Sequence, residues 1–480
     1  KIWLKPNMET LQRTANRGSV STGLYEIDNS TKFERDNTER MYRAWGGSGG
    51  GNDQTWTVSL WVKRTELGNL QHIWGAGVSG NDVLLVSFQT DNTLKFRSTK
   101  DGANDCVYVT DRKFRDTGAW YHIVTAVDTT SGTAGNRLRI YINGVEETSF
   151  STETDFSQND NTLHNANSSY MEIGTAIGEA DRFCGYIAEV ISISGSQLAP
   201  TTFGETDSDS GIWIPKEYTG SFPQNSVFLE FKDSSSLGTD TSGNGQTFTL
   251  QNVSAVDQAT DTPTNNFCTW SPLWIYASNL TISDGGQKAF ANASAWQGAK
   301  GSVGLQNGRW YWEVKIPSSG NAGFTGIQTA NESNLGSGNA QSNNSTYCRK
   351  GDGGDIFYYG GSESTSTHGG GNMSDNNIIG VFLDLESSTK TLRWFKDGSS
   401  YGSTIDLASK STSFTTREVF PFYANITSGN GAYFNFGGLS SYTISSGNAD
   451  ANGYGNFEYS PNDGTYDYYS ICTQNLAEFG

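Results

Sequence analysis

Residues 56–64 read Trp-Thr-Val-Ser-Leu-Trp-Val-Lys-Arg, and this stretch decides the fold class. Trp56, Val58, Leu60 and Val62 stand at every second position, with Thr57 and Ser59 between the first three. That alternation is typical of a half-buried antiparallel strand. It recurs at residues 137–142, which lead directly into Asn143-Gly144, the strongest short hairpin signal. Residues 392–396 end in the same way at Asp397-Gly398, so the sequence predicts antiparallel hairpins in both halves of the chain.

Two further strands begin with tryptophan and follow a turn glycine. Residues 120–124 come after Gly118, and residues 310–314 come after Gly308. The alternation predicts that Trp120 and Trp310 both point into a core.

Composition supports wide sheets and argues against several classes of partner. The 480 residues suffice for two or three domains, and the 57 Gly with 12% aromatic residues favour sheets joined by tight turns. A formal net charge of −18 opposes binding to nucleic acid and to anionic membranes. No stretch approaches the ~20 apolar residues of a membrane helix, and the start lacks the apolar run of a signal peptide, so we expect synthesis and assembly in a cytoplasm.

The five cysteines are odd in number and have no CxxC spacing. This pattern supports neither a zinc site nor a complete disulfide framework. We expect free and mostly buried thiols.

Several stretches resemble known families. Residues 56–64, 120–124, 141–144 and 185–190 resemble a laminin-G-like or concanavalin-like lectin domain in order and spacing. Six motifs in the second half resemble a SPRY domain: residues 308–314, 326–327, 379–385, 395–398, 419–422 and 434–437. The resemblance implies an all-β fold of two concanavalin-like antiparallel β-sandwich (jelly-roll) domains.

The expected organisation has five parts. They are an N-terminal arm at 1–20, a laminin-G-like sandwich at 21–204, an ordered connector with short strands at 205–266, a SPRY-like sandwich at 267–440 and a C-terminal extension at 441–480.

Three shorter segments narrow the expected biological setting. Residues 211–218, 260–267 and 469–476 are similar to segments of marine tailed-phage structural proteins. The resemblance implies a non-enzymatic virion protein, assembled in the host cytoplasm, either a fibre, spike or adhesion appendage or a capsid-decoration protein. The expected partners are other virion proteins, further copies of the chain and host-surface carbohydrate, without nucleic acid or membrane insertion.

A polysaccharide-cleaving enzyme is the alternative from another class. Concanavalin-like glucanases carry their two catalytic carboxylates on one strand, so Glu26-Ile27-Asp28 is the stretch to test. Ser30 and Thr31 stand where the second Glu would be. Because a retaining glycosidase needs both carboxylates, this stretch predicts a solvated strand edge.

Two groups of residues are candidate binding sites. Tyr358 and Tyr359 lie in a glycine-rich stretch, residues 353–371, which we expect to form a surface loop. They either stack on sugar or contact protein, or they are strand residues of the core. The stretch with Asp233, Asp240 and Asn244 is similar to a loop that opens many laminin-G-like domains. Its side-chain oxygen atoms are ligands that Ca²⁺ prefers, and Asx turns are the alternative.

The N-terminal arm has a net positive charge, whereas the chain as a whole is negatively charged. Residues 1–20 carry Lys1, Lys5, Arg13 and Arg17 against only one acidic residue, together with sparse apolar residues such as Trp3. Such an arm is either an anchor in an acidic groove of a neighbouring virion subunit or a loose terminus.

Overall fold

The computed structural model describes residues 25–45, 51–178, 180–276, 279–295, 297–317, 323–330, 346–350, 357–359, 362–364, 373–425 and 427–480. Between Thr264 and Asn265 the described chain divides into two compact units. Each unit consists mainly of two large antiparallel sheets that enclose an apolar core. The prediction of an all-β protein with two antiparallel sandwich domains is confirmed.

The first unit contains eighteen strands within its described residues. They are β1 Ser30–Phe33, β2 Arg40–Ala44, β3 Thr55–Arg64, β4 Gln71–Ser79, β5 Asp82–Phe88, β6 Thr93–Lys100, β7 Ala103–Lys113, β8 Trp120–Asp128, β9 Leu138–Ile142, β10 Val145–Glu146, β11 Phe150–Thr154, β12 Tyr170–Ile173, β13 Gly185–Ser194, β14 Gly204–Thr206, β15 Trp213–Pro215, β16 Val227–Leu229, β17 Thr249–Gln251 and β18 Gln258–Ala259.

These strands form two large sheets and one small hairpin. Sheet I has the order β10-β9-β8-β3-β13-β1-β18, and β16 pairs with the same edge of β13 as β1 does. Sheet II has the order β11-β7-β6-β5-β4-β12-β2-β17, and β14 pairs only with β15. Asn143 and Gly144 both have positive φ, 50° and 79°, so they form the predicted tight turn between β9 and β10.

The core of the first unit confirms the alternation predicted for β3 and β9. The alternate apolar residues of both strands, from Trp56 to Val62 and from Leu138 to Ile142, face sheet II in one buried cluster. The opposite face of β3 is also buried, although the alternation predicted a half-exposed strand.

This second buried face is covered by the segment that follows β13. Phe203 and the half-buried Tyr218 and Phe222 pack on Val124 and Ile191 of sheet I. Strands β16, β17 and β18 of the same segment extend sheets I and II. The sequence segment expected to connect two sandwiches therefore covers and extends the first one.

Trp120 requires a correction because it lies on this outer face. Tyr121 and Ile123 belong to the core between the sheets, whereas Trp120 lies beside Tyr186 with its ring centroid 6.4 Å away. Its indole N–H donates to the buried Asp261 at 3.1 Å. Trp120 is fully buried as predicted, but it is buried beneath the chain around Asp261 instead of between the sheets.

The second unit contains sixteen strands and two short helices within its described residues. They are β19 Trp270–Tyr276, β20 Leu280–Ser283, β21 Lys288–Ala291, β22 Gln297–Gly301, β23 Arg309–Lys315, β24 Phe324–Thr329, β25 Thr346–Lys350, β26 Phe357–Tyr359, β27 Ser362–Ser364, β28 Ile378–Asp384, β29 Thr391–Lys396, β30 Ser399–Ser400, β31 Ile405–Asp406, α1 Ser413–Thr416, β32 Val419–Asn425, β33 Gly431–Asn435, β34 Tyr469–Ser470 and α2 Thr473–Phe479.

Sheet III has the order β19-β22-β32-β24-β25-β26-β27. Sheet IV has the order β20-β21-β33-β23-β28-β29-β30, with β31 beside β29 and β34 parallel to β23. Trp310, Trp312 and Val314 of β23 point into the core between these sheets, which confirms the prediction for Trp310. Asp397 and Gly398 have φ values of 49° and 75° and form the predicted turn after β29.

The five cysteines are free and buried, as predicted. No helix among the described residues is long and apolar enough to cross a membrane.

Candidate functional site

The outer face of sheet IV carries a row of aromatic side chains. Tyr311 of β23 pairs across the sheet with Phe382 of β28, and their ring centroids are 4.6 Å apart. Phe395 of β29 lies 4.6 Å from Phe382, also between centroids. Because these residues alternate with core residues of the same strands, their rings point away from the core and need a second cover.

The C-terminal segment, residues 441–480, supplies that cover. Phe457 and Tyr468 meet Tyr311 and Phe382 edge to face, each at 4.9 Å between centroids. Strand β34 then pairs with β23. The segment therefore belongs to the second sandwich and buries the outer face of its sheet IV.

Glu313 fastens this segment to the sheet. Its buried carboxylate accepts hydrogen bonds from the hydroxyls of Tyr311 at 2.9 Å and Tyr442 at 2.6 Å. The backbone N–H groups of Glu458 and Tyr459 donate to it at 3.0 and 2.8 Å. Burial raises the pKa of Glu313, and these hydrogen bonds oppose that rise because they favour the ionised form. Glu313 thus fixes the backbone position of Tyr459.

A pocket of ≈ 250 Å³ lies where Tyr459 passes over the end of β29. Its lining consists of Tyr311, Gly380, Phe382, Phe395, Gly398, Tyr459, Ser460 and Asn462. Two glycines keep it open. A Cβ on Gly380 would lie 2.8 Å from the Tyr311 ring, and a Cβ on Gly398 would lie 2.7 Å from the Tyr459 ring.

The pocket combines aromatic walls with hydroxyl and amide groups. None of its eight lining residues carries a formal charge. Burial raises the pKa of Tyr459, with a further contribution from nearby carboxylates such as Asp397, so its hydroxyl stays protonated at neutral pH. That hydroxyl makes no hydrogen bond within the described part of the chain. The aromatic walls can therefore stack on a ring of a ligand, and the Tyr459 hydroxyl can donate a hydrogen bond to that ligand.

The sequence did not reveal this pocket. Gly380, Phe395 and Gly398 belong to the SPRY-like motifs, but Tyr459, Ser460 and Asn462 belong to the extension. The only sequence signal was the aromatic content of residues 454–469, which gives no information about the strand it covers.

Tyr358 and Tyr359 lie on β26, in agreement with the alternative that they are strand residues, although we expected residues 353–371 as a whole to form a surface loop. β26 pairs with β25 through Cys348↔Tyr358 and with β27 through Tyr358↔Glu363. The two tyrosines thus sit near the edge of sheet III, and ligand binding by them stays a prediction.

The three candidate calcium ligands divide between two turns. Asp233 caps its own turn by accepting from the Ser235 N–H at 2.9 Å. Asp240 accepts from the N–H groups of Phe228 at 2.9 Å and Gln246 at 2.7 Å, and Asn244 donates to the backbone carbonyls of Pro223 and Ser226. Two further bonds, from the Ser235 N–H to Asp233 and from the Ser242 N–H to Asp240 at 3.0 Å, have the two-residue spacing of the Asx-turn alternative.

No group of three or more His, Cys, Asp or Glu side chains that could hold a metal ion occurs in the described residues. Calcium binding at Asp233, Asp240 and Asn244 stays a prediction.

The remaining predicted candidates are two acidic residues of the first domain and five residues of the N-terminal arm. Glu26 and Asp28 are exposed on either side of buried Ile27. His122 of β8, which was not one of those candidates, stacks on Trp61 at 4.5 Å and forms hydrogen bonds with Ser59 and Trp213. Burial lowers its pKa to about 3, so it is a packed neutral histidine. The candidate anchoring residues of the arm lie outside the described residues: Lys1, Trp3, Lys5, Arg13 and Arg17.

The protein is therefore of the class with two β-sandwiches, in each of which one sheet, sheet I or sheet IV, is buried on both faces. The family model described as the concanavalin A-like lectin/glucanases superfamily matches residues 41–196, and the SPRY domain model matches residues 309–439. The chain thus carries a laminin-G-type concanavalin-like domain followed by a SPRY domain. The predicted resemblance to these two families is confirmed.

Several solved structures are similar to parts of this chain at low sequence identity. The SPRY domain of human HERC1 shares 15% identity over 36% of this chain and 99% of its own, with a TM-score of 0.28. A heptameric SAP-like pentraxin from Limulus polyphemus shares 14% over 48% of this chain and 97% of its own, with a TM-score of 0.30.

A putative carbohydrate binding protein from Bacteroides ovatus shares 12% identity over 48% of this chain and 60% of its own, with a TM-score of 0.29. No curated protein matches the sequence.

Proposed function

We propose that this protein is a non-catalytic adhesion protein of a bacteriophage virion, such as a fibre or spike, that binds host-surface glycan. The observation that carries the proposal is the combination of a lectin/glucanase-type sandwich with a SPRY domain in one chain. Residues 211–218, 260–267 and 469–476, which are similar to phage structural proteins, supply the virion setting. The net charge of −18 favours a neutral partner over an anionic one.

Binding is favoured over cleavage because the acidic stretch of the first domain lacks the second Glu of the glucanase pattern. A retaining glycosidase holds two carboxyl groups ~5–5.5 Å apart across the scissile bond. Glu26 and Asp28 are exposed, while Ser30 is buried and donates to the Asp261 carbonyl at 2.6 Å. Release of reducing sugar from host polysaccharide by the purified protein would overturn this part of the proposal.

Immunolabelling of purified phage particles tests the virion role. Antibodies against the protein should label a discrete appendage in electron micrographs. Particles without label would contradict the proposal, and label over the whole capsid lattice would indicate a decoration protein instead.

Retention of the purified protein on host cells tests adhesion. Fluorescently labelled protein should bind untreated cells and lose binding to cells whose surface glycans have been oxidised by periodate. Equal binding to both would point to a protein receptor.

A further inference from the structure

We propose that the pocket between β29 and the C-terminal segment is a binding site for one neutral pyranose ring of a glycan. The inference rests on the proposed adhesion function and deepens it by naming the ligand class and the residues. It concerns Phe395, Gly398, Tyr459, Ser460 and Asn462 above all.

The size of the pocket indicates one ring. At ≈ 250 Å³ it lies below the ~300–1,000 Å³ typical of sites for drug-sized ligands. A longer glycan would therefore place one residue in the pocket and leave the others over the surface.

The lining fits a sugar because a pyranose has apolar C–H faces and a polar edge. Phe395 and Tyr459 are half-buried and offer aromatic faces to such a ring. The Tyr459 hydroxyl and the exposed Ser460 hydroxyl have no protein partner among the described residues. Both are free to bond to sugar hydroxyls, which act as donors and as acceptors.

Charge around the pocket restricts the sugar to a neutral one. The lining is uncharged, and the carboxylates of Asp397 and Glu458 lie close enough to Tyr459 to raise its pKa. An anionic sugar would be repelled by these carboxylates and would find no cation in the lining.

The pocket is preorganised rather than assembled by the ligand. The backbone of Tyr459 is fixed by Glu313 at 2.8 Å, and its ring lies against Gly398. Asn462 is held by its hydrogen bond to Asp467 at 2.6 Å. A rigid site of this kind loses little conformational entropy on binding.

Part of the pocket lies outside the SPRY family match. That match ends at residue 439, whereas Tyr459, Ser460 and Asn462 follow it. The site is thus a property of this chain's extension.

The test uses the full chain and a panel of methyl pyranosides with neutral sugars, plus a methyl glucuronoside as the anionic control. Ligand-observed NMR and calorimetric titration should show binding of at least one neutral pyranoside and none of the glucuronoside. Tyr459→Ala should weaken binding about tenfold and Tyr459→Phe about fivefold, through loss of the ring contact and of the hydroxyl. Ser460→Trp, which fills the pocket from an exposed position, should abolish it.

Tyr466→Ala is the matched control. Tyr466 lies in the same segment but outside the pocket, where it contacts Arg309, and its loss should leave affinity within about twofold of wild type. Circular dichroism and melting temperature establish that each variant is folded. Because the Glu313 contact uses the backbone of Tyr459, Tyr459→Ala keeps it.

The outcomes separate this inference from the adhesion proposal. If wild type binds a neutral pyranoside and both Tyr459→Ala and Ser460→Trp bind it equally well, the pocket assignment is wrong while glycan adhesion stands. If wild type binds cells through glycan but binds no pyranoside, the assignment is also wrong. Binding of an aromatic peptide in place of sugar would make the pocket a protein docking site, and absence of any glycan-dependent cell binding would overturn the adhesion proposal itself.

Discussion

Glu189 lies at the bulge of β13, in the gap between β1 and β16. Its φ is 47°, and only 3% of the residue is exposed. Burial raises the pKa of Glu189 to about 8, while a hydrogen bond with Tyr25 partly offsets the rise. Glu230, which pairs with Lys232 at 2.6 Å, raises it further. A bulge re-aims a side chain, which here places a carboxyl group where water is excluded.

The pKa of Glu189 predicts a specific pH dependence. A folded-state value of about 8 against an ordinary 4.5 means that the folded state binds the proton more tightly. The resulting stabilisation is complete below about pH 4.5 and is lost as the pH rises towards 8, by at most ~1.4 kcal/mol per pH unit. Glu189→Gln should flatten this dependence in calorimetric melts of the full chain. The exposed Glu153→Gln is the control, and identical pH profiles for wild type and Glu189→Gln would contradict the expectation.

The ion pair between Lys63 and Asp261 is also buried in the first domain. Its atoms are 2.6 Å apart, and the side chains are 0% and 1% exposed. Asp261→Ala should cost ~3–5 kcal/mol because it leaves Lys63 buried without its carboxylate. The exposed Asp233→Ala is the control and should have little effect.

The double change Lys63→Met with Asp261→Leu should recover most of that loss, since apolar residues of similar size often replace a buried pair without cost. Chemical denaturation provides the measurement. A double variant no more stable than Asp261→Ala would show that the other contacts of Asp261, such as its bond from Trp120 at 3.1 Å, are responsible rather than charge pairing.

At the scale of residues, the alternation of side chains correctly predicted which residues of β3, β9 and β23 point into the core. Each of these strands has a continuous period of two. The same alternation gave the wrong orientation for Trp120. Both faces of β8 are buried, and a period of two does not say which of two buried faces meets the other sheet.

At the element scale, local sequence predicted short strands within residues 205–266 but could not assign their partners. β16 pairs with β13 through Val190↔Leu229, and β17 pairs with β2. Such long-range pairings depend on which edges remain open in the folded sheets, which no local pattern records. The pocket was missed for the same reason, since Gly398 and Tyr459 come from distant segments.

Removal of the C-terminal segment should destabilise the second sandwich. A chain ending at residue 440 would expose Tyr311 and Phe382 and would deprive Glu313 of its bonds from Tyr442 and Tyr459. We expect a lower melting temperature for this domain and faster hydrogen exchange in β23 and β28.

Tyr442→Phe is a milder change for comparison, because it removes only one hydrogen-bond donor to Glu313. It should lower the free energy of unfolding by about 1 kcal/mol. If the truncated chain melts like wild type, the segment is a passive cover rather than part of the fold.

At the scale of the whole molecule, the N-terminal arm remains a prediction about assembly. Deletion of residues 1–20 should leave both sandwiches folded but prevent incorporation into particles, because the basic arm would no longer bind an acidic groove. Binding of the isolated arm should weaken above ~0.15 M salt, where the screening length is ~8 Å. Truncated protein at normal copy number in particles would rule the anchor out.

Each sandwich has its own core, one centred on residues such as Trp56 and Trp74 and the other on Trp310 and Trp394. We therefore expect two calorimetric transitions, each affected by changes in one core only. Trp310→Ala should lower one transition, since truncating a buried Trp costs ~3–5 kcal/mol. Asp261→Ala should lower the other. A single transition that both substitutions shift equally would show that the two sandwiches unfold as one cooperative unit.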